Sequence, residues 1–151
     1  MTIETLPSNC TLPVSALSFD YGTQRIGVAF GQSISATAKA IAVLKAKDGS
    51  PDWDEVEKLL QEWKPDCCVV GLPYNLDASE SELLTRAIKF ANRIKGRFNI
   101  NCYGMDERLS SKAAIEQVVE DESSSKKKTA IDDIAAQIIL ENWLNEYNSR
   151  V

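Results

Sequence analysis

Between residues 14 and 45 the apolar residues of this chain come in short strand-length runs, alternating over 38–45; over 53–63 they recur every three or four positions. That change of period limits the fold more than any single motif. A repeat of two belongs to a strand with one buried face, and a repeat of 3.6 to a helix lying on a core. Residues 14–20, 25–31 and 38–45 read as strands. The connections between them are too short for a crossover, so they form an antiparallel meander. Ser50-Pro51 then reads as a helix start with proline at the first helical position. Trp53, Val56, Leu59, Leu60 and Trp63 give that helix one apolar stripe, and Pro65 stops it. Residues 67–71, "CCVVG", are a fully apolar run, read as a buried central strand.

"GLPYNLDAS" is a turn-rich loop, after which Ser79 and Glu82 form a capping box. The helix they open turns Leu83, Leu84, Ala87, Ile88, Ala91 and Ile94 inward, and Gly96 ends it. Residues 99–105 are a fifth strand. Ser110 or Ser111 caps a third helix to about residue 119, and "EDESSSKKKT" is read as a mobile polar loop. A last helix runs from 130 to about 147 with Ile131, Ile134, Ala135, Ile138, Ile139 and Trp143 inward. The expected class is α/β: a five-stranded mixed sheet, its first three strands antiparallel, with helices on its faces.

The 151 residues suit one domain, expected over 14–148, behind a loosely ordered tail over 1–13. No apolar run approaches the ~20 residues of a membrane span. The first residues lack the basic start and apolar middle of a secretory signal, so a cytoplasmic protein away from membranes is expected. Cys10, Cys67, Cys68 and Cys102 form no CxxC pair. They read as small buried hydrophobes in a reducing compartment.

The chain has no histidine. Ser-His-Asp and Cys-His nucleophile systems, histidine-ligated zinc and an imidazole base are therefore excluded. Chemistry would have to rest on carboxylates, Lys, Tyr, Cys or a hard metal ion. The net charge of −5 means that any nucleic-acid role needs a local basic patch.

In "SFDYGTQRIGVAFG", an apolar strand ends on Asp20 and turns through Gly22 into a second apolar strand. An acid at the end of a buried strand is costly unless paired or bound to a cation. The carboxyl end of a parallel strand is also the usual mouth of such sheets. Asp106 and Glu107 end the fifth strand, and Asp132 and Asp133 begin the last helix. Convergent carboxylates without histidine suit Mg²⁺ or Mn²⁺, the equipment of phosphodiester cleavage. Each acid has a plain structural alternative. Asp20 would cap its turn, Asp106 or Glu107 would pair with Arg108, and Asp132 and Asp133 would complement a helix dipole. Lys126, Lys127 and Lys128 would be a solvated run.

Four motifs in order, "SFDYGTQRIGVAFG", "VVGLPYNLDAS", "DERLSS" and "KKKTAIDDIAAQIIL", cover nearly the whole chain. With them the chain resembles the YqgF family, also called RuvX, of RuvC-like proteins in the RNase H superfamily. Ala78 stands where that family usually has glycine, and Ser110-Ser111 where it usually has threonine. The resemblance implies an RNase H-like fold with sheet order 3-2-1-4-5. It implies Asp20, Glu107 and Asp132 as catalytic metal ligands, with Asp106 beside them and Asp133 at a variable position. It places Arg25, Arg108 and Lys126 to Lys128 as phosphate contacts and Gly22 where backbone passes close to the site. In that sheet order the fifth strand lies two places from the first, roughly 10 Å away. Asp20 and Glu107 share a cation there only if twist and the loop after the strand bring Glu107 inward.

The activity so implied is a metal-dependent endonuclease on structured RNA, in maturation of the 5′ end of 16S ribosomal RNA. A ribosomal precursor particle is an expected partner, and a monomer or weak homodimer the expected state. The alternatives are a Holliday junction resolvase acting on branched DNA and a non-catalytic RNA- or protein-binding module. An actin-like nucleotide-binding fragment, which "FDYGTQRIG" also resembles, would need a second phosphate motif and more chain than is present.

Overall fold

The alternating stretches form β1 (Ser15–Asp20), β2 (Arg25–Gln32) and β3 (Thr37–Lys47), paired as the expected antiparallel meander. A computed structural model describes residues 3–10, 13–74, 81–107 and 125–150, the stretch 125–133 as helical backbone. Ser50–Pro51 is not a helix start but a two-residue strand, β4, paired with Ala46 and Lys47 of β3. The reason lies in Asp48-Gly49, both at positive φ (48° and 82°), which is the tight hairpin turn that an Asp-Gly pair favours. The cap moves on to Asp52, whose side chain accepts from the Asp54 amide and opens α1 (Trp53–Trp63).

Lys64 closes α1 in the left-handed region, and the chain enters β5 (Cys67–Leu72), which is buried throughout and parallel to β1. Then α2 (Glu82–Phe98) is capped by Ser81, whose hydroxyl accepts from the Leu84 amide at 3.0 Å. The cap is thus Ser81, whereas Ser79 lies outside the described residues; Leu83, expected inward, is exposed. Gly96 does not end the helix. Asn99 does, at φ 53°, because asparagine tolerates the left-handed cap and Gly96 has open space around it. β6 (Cys102–Asp106) pairs parallel with β5. The expected helix from Ser110 lies outside the described residues. The last helix, α3 (Ser125–Ser149), starts five residues before the expected 130. Lys126 to Lys128 therefore lie in its first turns, not in a loop, as strong helix formers can.

The sheet order is β4-β3-β2-β1-β5-β6. It is the expected order with the two-residue β4 added at one edge, so six strands replace five. One face carries Leu17, Phe19, Ile26, Val28 and Val70 against Phe90 and Ile94 of α2. The other carries Ala16, Ala29, Cys67 and Val69 against Ala136, Ile139, Leu140 and Trp143 of α3. Small residues under α3 let it sit close to the sheet. A Cβ on Gly31 would come within 2.9 Å of a Leu144 methyl and 2.6 Å of the Thr37 carbonyl.

Residues 3–10, expected to be loose, lie along β6. The Gly104 amide donates to the Glu4 carbonyl at 2.8 Å, the Trp143 indole N–H donates to the Thr5 carbonyl at 2.7 Å, and Cys10 is buried. An edge strand with open backbone groups attracts such a segment. Ile3 and Leu6 add apolar contact. All four cysteines are free and buried. Among the described residues no helix is long and apolar enough to cross a membrane.

Two outcomes follow from this packing. Trp143→Ala removes both the centre of the α3 face and the anchor of Thr5, and is expected to cost about 3–5 kcal/mol in urea unfolding. Burial pushes the Cys67 thiol up to about 12, with Asp66 adding to the shift. A thiol held protonated in the fold makes no demand below its unfolded pKa. It opposes the fold increasingly as pH rises from that value toward the folded one. Unfolding free energy is therefore expected to fall from about pH 9 upward, and less so in Cys67→Ala measured by the same titration.

Candidate active site

Ser18 and Asp20 are two residues apart in β1 and so share a face, the one covered by α3. The Ser18 hydroxyl donates to the Ala136 carbonyl at 2.7 Å. At the other end of the helix the Asn148 amide donates to the Ser33 carbonyl at 2.9 Å, beside the start of β1. The helix therefore runs against β1, with its early turns over the strand's carboxyl end. Asp20 lies about 6.6 Å beyond Ser18 along the strand. Position 132 lies four residues, about 6 Å, before Ala136 along the helix. Both steps lead to the same mouth.

Asp20 is 7% exposed, one of few polar side chains buried among the described residues. Glu107 follows β6 and is half-buried. In the parallel register Phe19 lies beside Val70, which puts Asp20 beside Gly71. The Glu107 carboxylate rests on that glycine: a Cβ at Gly71 would come 2.6 Å from its Oε1 and 2.7 Å from a methyl of Ile139. This is how the two-strand gap is bridged. The missing side chain on the intervening strand leaves room for Glu107 to reach across β5 toward β1.

Asp106 pairs with Leu72, and its neighbours Tyr103 and Met105 belong to the α3 face. Alternation assigns Asp106 to the opposite face, so the structure separates it from Asp20 and Glu107. Among the described residues no third Asp, Glu, Cys or His joins them in a group able to hold a metal ion. Asp132 is described as backbone and Arg108 lies outside the described residues. Lys126 to Lys128 begin α3, at the mouth end.

Arg25 opens β2 two residues before Gly27, the partner of Asp20, and is exposed on the same face. Directly opposite it stands Lys45, a residue the sequence reading missed. Like charges facing across a ladder repel, and the acids Asp52 and Glu55 at the start of α1 share their cleft. The signal was present in the alternation of β3, where Leu44 faces the core and Lys45 does not. Both line a cleft of about 670 Å³ with Lys47, Pro51, Asp52 and Glu55. A cavity of similar size, about 680 Å³, lies at the far end of the sheet around Pro65, Phe98 and Ile100, away from the acids. Gly22 has a local role: a Cβ there would meet the Arg25 carbonyl at 2.6 Å, so its bareness closes the β1–β2 turn. The glycine that makes room for site groups is Gly71.

The architecture is RNase H-like, of the kind seen in RuvC-type resolvases. Superposition on Thermus thermophilus RuvC in complex with a Holliday junction substrate gives a TM-score of 0.52 at 12% identity, covering 90% of this chain and 96% of that one. The fowlpox virus Holliday junction resolvase gives 0.51 at 22% identity, over 91% and 99%. The family model described as "RuvX: Holliday junction resolvase" matches residues 14–146, and the chain belongs to that family. A Haemophilus influenzae (strain PittGG) protein named "Putative pre-16S rRNA nuclease" is 49% identical over 131 residues, 86% of this chain and 94% of its own length. A Pseudomonas aeruginosa (strain LESB58) protein of the same name is 47% identical over 132 residues, 87% and 92% of the two chains.

Gly71→Ala tests the bridge between the acids. It forces Glu107 and Ile139 apart, and overpacking of this kind is expected to cost about 1–3 kcal/mol. A drop of roughly 3–10 °C in melting temperature is the expected reading. An unchanged melting temperature would mean that Glu107 does not rest on this strand.

Proposed function

We propose that this protein is a metal-dependent endonuclease that hydrolyses phosphodiester bonds in structured RNA, and that its substrate is the 5′ leader of pre-16S ribosomal RNA in the cytoplasm. The reading is supported by the Glu107 carboxylate lying over Gly71, the neighbour of Asp20, at the end of the sheet toward which the helical turn bearing position 132 also leads. The name of the 47–49% identical relatives supports the choice of RNA.

The donor set fits a hard divalent cation: carboxylates at the mouth of the sheet in a chain without histidine. Asp20, Glu107 and Asp132 would hold Mg²⁺ or Mn²⁺, which when bound polarises a phosphate and lowers the pKa of a water. The chain's own groups do the rest. Burial of Asp20 holds its carboxylate in one place, and the Ser18 bond to Ala136 keeps the helical acid in register with it. Arg25 and Lys45 receive phosphates beside the acids, with Lys126 to Lys128 and Arg108 as further backbone contacts. No protein nucleophile is required. A monomer or weak dimer acting on a ribosomal precursor particle suits this equipment.

Resolution of Holliday junctions is the second reading, favoured by the family description and by the same acids. Cleavage of a 16S precursor RNA carrying its 5′ leader, in Mn²⁺ or Mg²⁺, separates the two. Asp20→Asn and chelation with EDTA are each expected to reduce the rate about a thousandfold or more, the worth of several kcal/mol of charge stabilisation. Undiminished cutting by Asp20→Asn would sink the carboxylate site. A preference for four-way DNA over the precursor RNA would transfer the assignment to the resolvase.

A further inference from the structure

On the far face of the sheet from the acids, Tyr21 follows Asp20 and turns toward α2. Its hydroxyl donates to the Gly49 carbonyl at 3.0 Å. A Cβ on Gly49, already at φ 82°, would collide with that hydroxyl, so the tyrosine and the Asp48-Gly49 turn are locked together. Arg86 of α2 reaches Asp48 Oδ1 at 2.9 Å. These groups, with Lys89, Phe90 and Arg93, line a cavity of about 230 Å³. Three cations face one carboxylate there, and that carboxylate is engaged by Arg86.

The cations continue along the helix. Arg86, Lys89, Arg93 and Arg97 recur at spacings of three and four, which places them on one side of α2. From Arg86 to the end of α2 there are five cations and no acid, in a chain whose net charge is −5; Glu82, one turn before Arg86, is the one acid of the helix. A face kept merely soluble mixes both signs. The row starts at the mouth: the Ser81 hydroxyl before α2 donates to the Pro73 carbonyl just past β5. It ends where the Arg97 guanidinium lies 4.5 Å over the Trp53 ring.

We infer that this cavity and the cationic row behind it bind the phosphodiester backbone of a nucleic acid as it leaves the acid site around Tyr21. The location rests on the nuclease reading; the binding itself does not. Phosphates carry no sequence, so RNA and DNA backbones are held alike. Lys89 and Arg93 are exposed, unlike the half-buried Arg86, and their replacement leaves the locked turn intact.

The test compares Lys89→Gln/Arg93→Gln with a control of equal charge change, Lys39→Gln/Lys58→Gln, from exposed positions elsewhere. Anisotropy of a fluorescein-labelled RNA hairpin, and of a DNA hairpin of the same sequence, is followed in EDTA from about 50 to about 200 mM KCl. The first pair is expected to bind both hairpins about tenfold more weakly at low salt, with the slope of log Kd against log salt reduced by about 2. The control is expected to shift affinity less than about twofold. Equal losses in both pairs, no loss in the first, or no salt-dependent binding by the unaltered protein would each overturn the inference. Failure of the nuclease reading shows separately, as cleavage indifferent to Asp20→Asn.

Discussion

A buried hydrogen bond 2.7 Å long, from the Ser18 hydroxyl to the Ala136 carbonyl, joins the first strand to the last helix across 118 positions of chain. The rest of the site depends on it. A hydroxyl in the centre of an apolar interface is costly unless satisfied, so this donor admits few registers of α3 on the sheet. The small side chains around it, Ala16, Ala29 and Ala136, allow the close approach that the bond needs. With the register set at that point, one turn of helix and two residues of strand suffice to bring position 132 and Asp20 to the same end of the molecule.

The second dependence is an absence of atoms. Glu107 lies two strands from Asp20, and a sheet of ordinary side chains would keep them apart. Gly71, level with Asp20 on the intervening strand and two residues short of Glu107, removes the obstacle to the Glu107 side chain, while Ile139 of α3 presses on the same spot. The two acids are thus held by different means. Asp20 is held by burial at a strand end, and Glu107 by a gap in its neighbour. A carboxylate supported over a gap is sensitive to any methyl placed beneath it, which makes the site's geometry a matter of packing as much as of charge.

Where sequence reading and structure part, local chemistry explains the difference. Asp48-Gly49 is a strong hairpin signal, but the proline after it reads as a helix start, and the two-residue β4 is too short to show a period. Ser79 and Ser81 both stand before Glu82 with capping side chains, and it is the Ser81 hydroxyl that takes the Leu84 amide while donating to the Pro73 carbonyl. Gly96 looks like a stop, yet Asn99 accepts the left-handed cap three residues later. The residues at 3–10 carry too few apolar groups to announce a docked segment. What holds them is backbone pairing to an edge strand and one indole N–H, neither visible in composition.

The sequence by itself determined the α/β class, the antiparallel meander, the apolar stripe of α1 and that of α2 apart from Leu83, and a chemistry without histidine. Each of these follows from periodicity or from residue types that are present or missing. The order of the sheet came from the resemblance to the family, and on α3 the buried face is made by Ala136, Leu140 and Leu144 beside Ile139 and Trp143, with Ile134 and Ile138 only half-buried. Tertiary structure alone decided that Glu107 and not Asp106 shares the face of Asp20, that Gly71 is the glycine making room for it, and that Lys45 stands against Arg25. These are relations between strands distant in the chain. They are set by register and by the space a side chain leaves, and a period along one segment carries no information about the strand beside it.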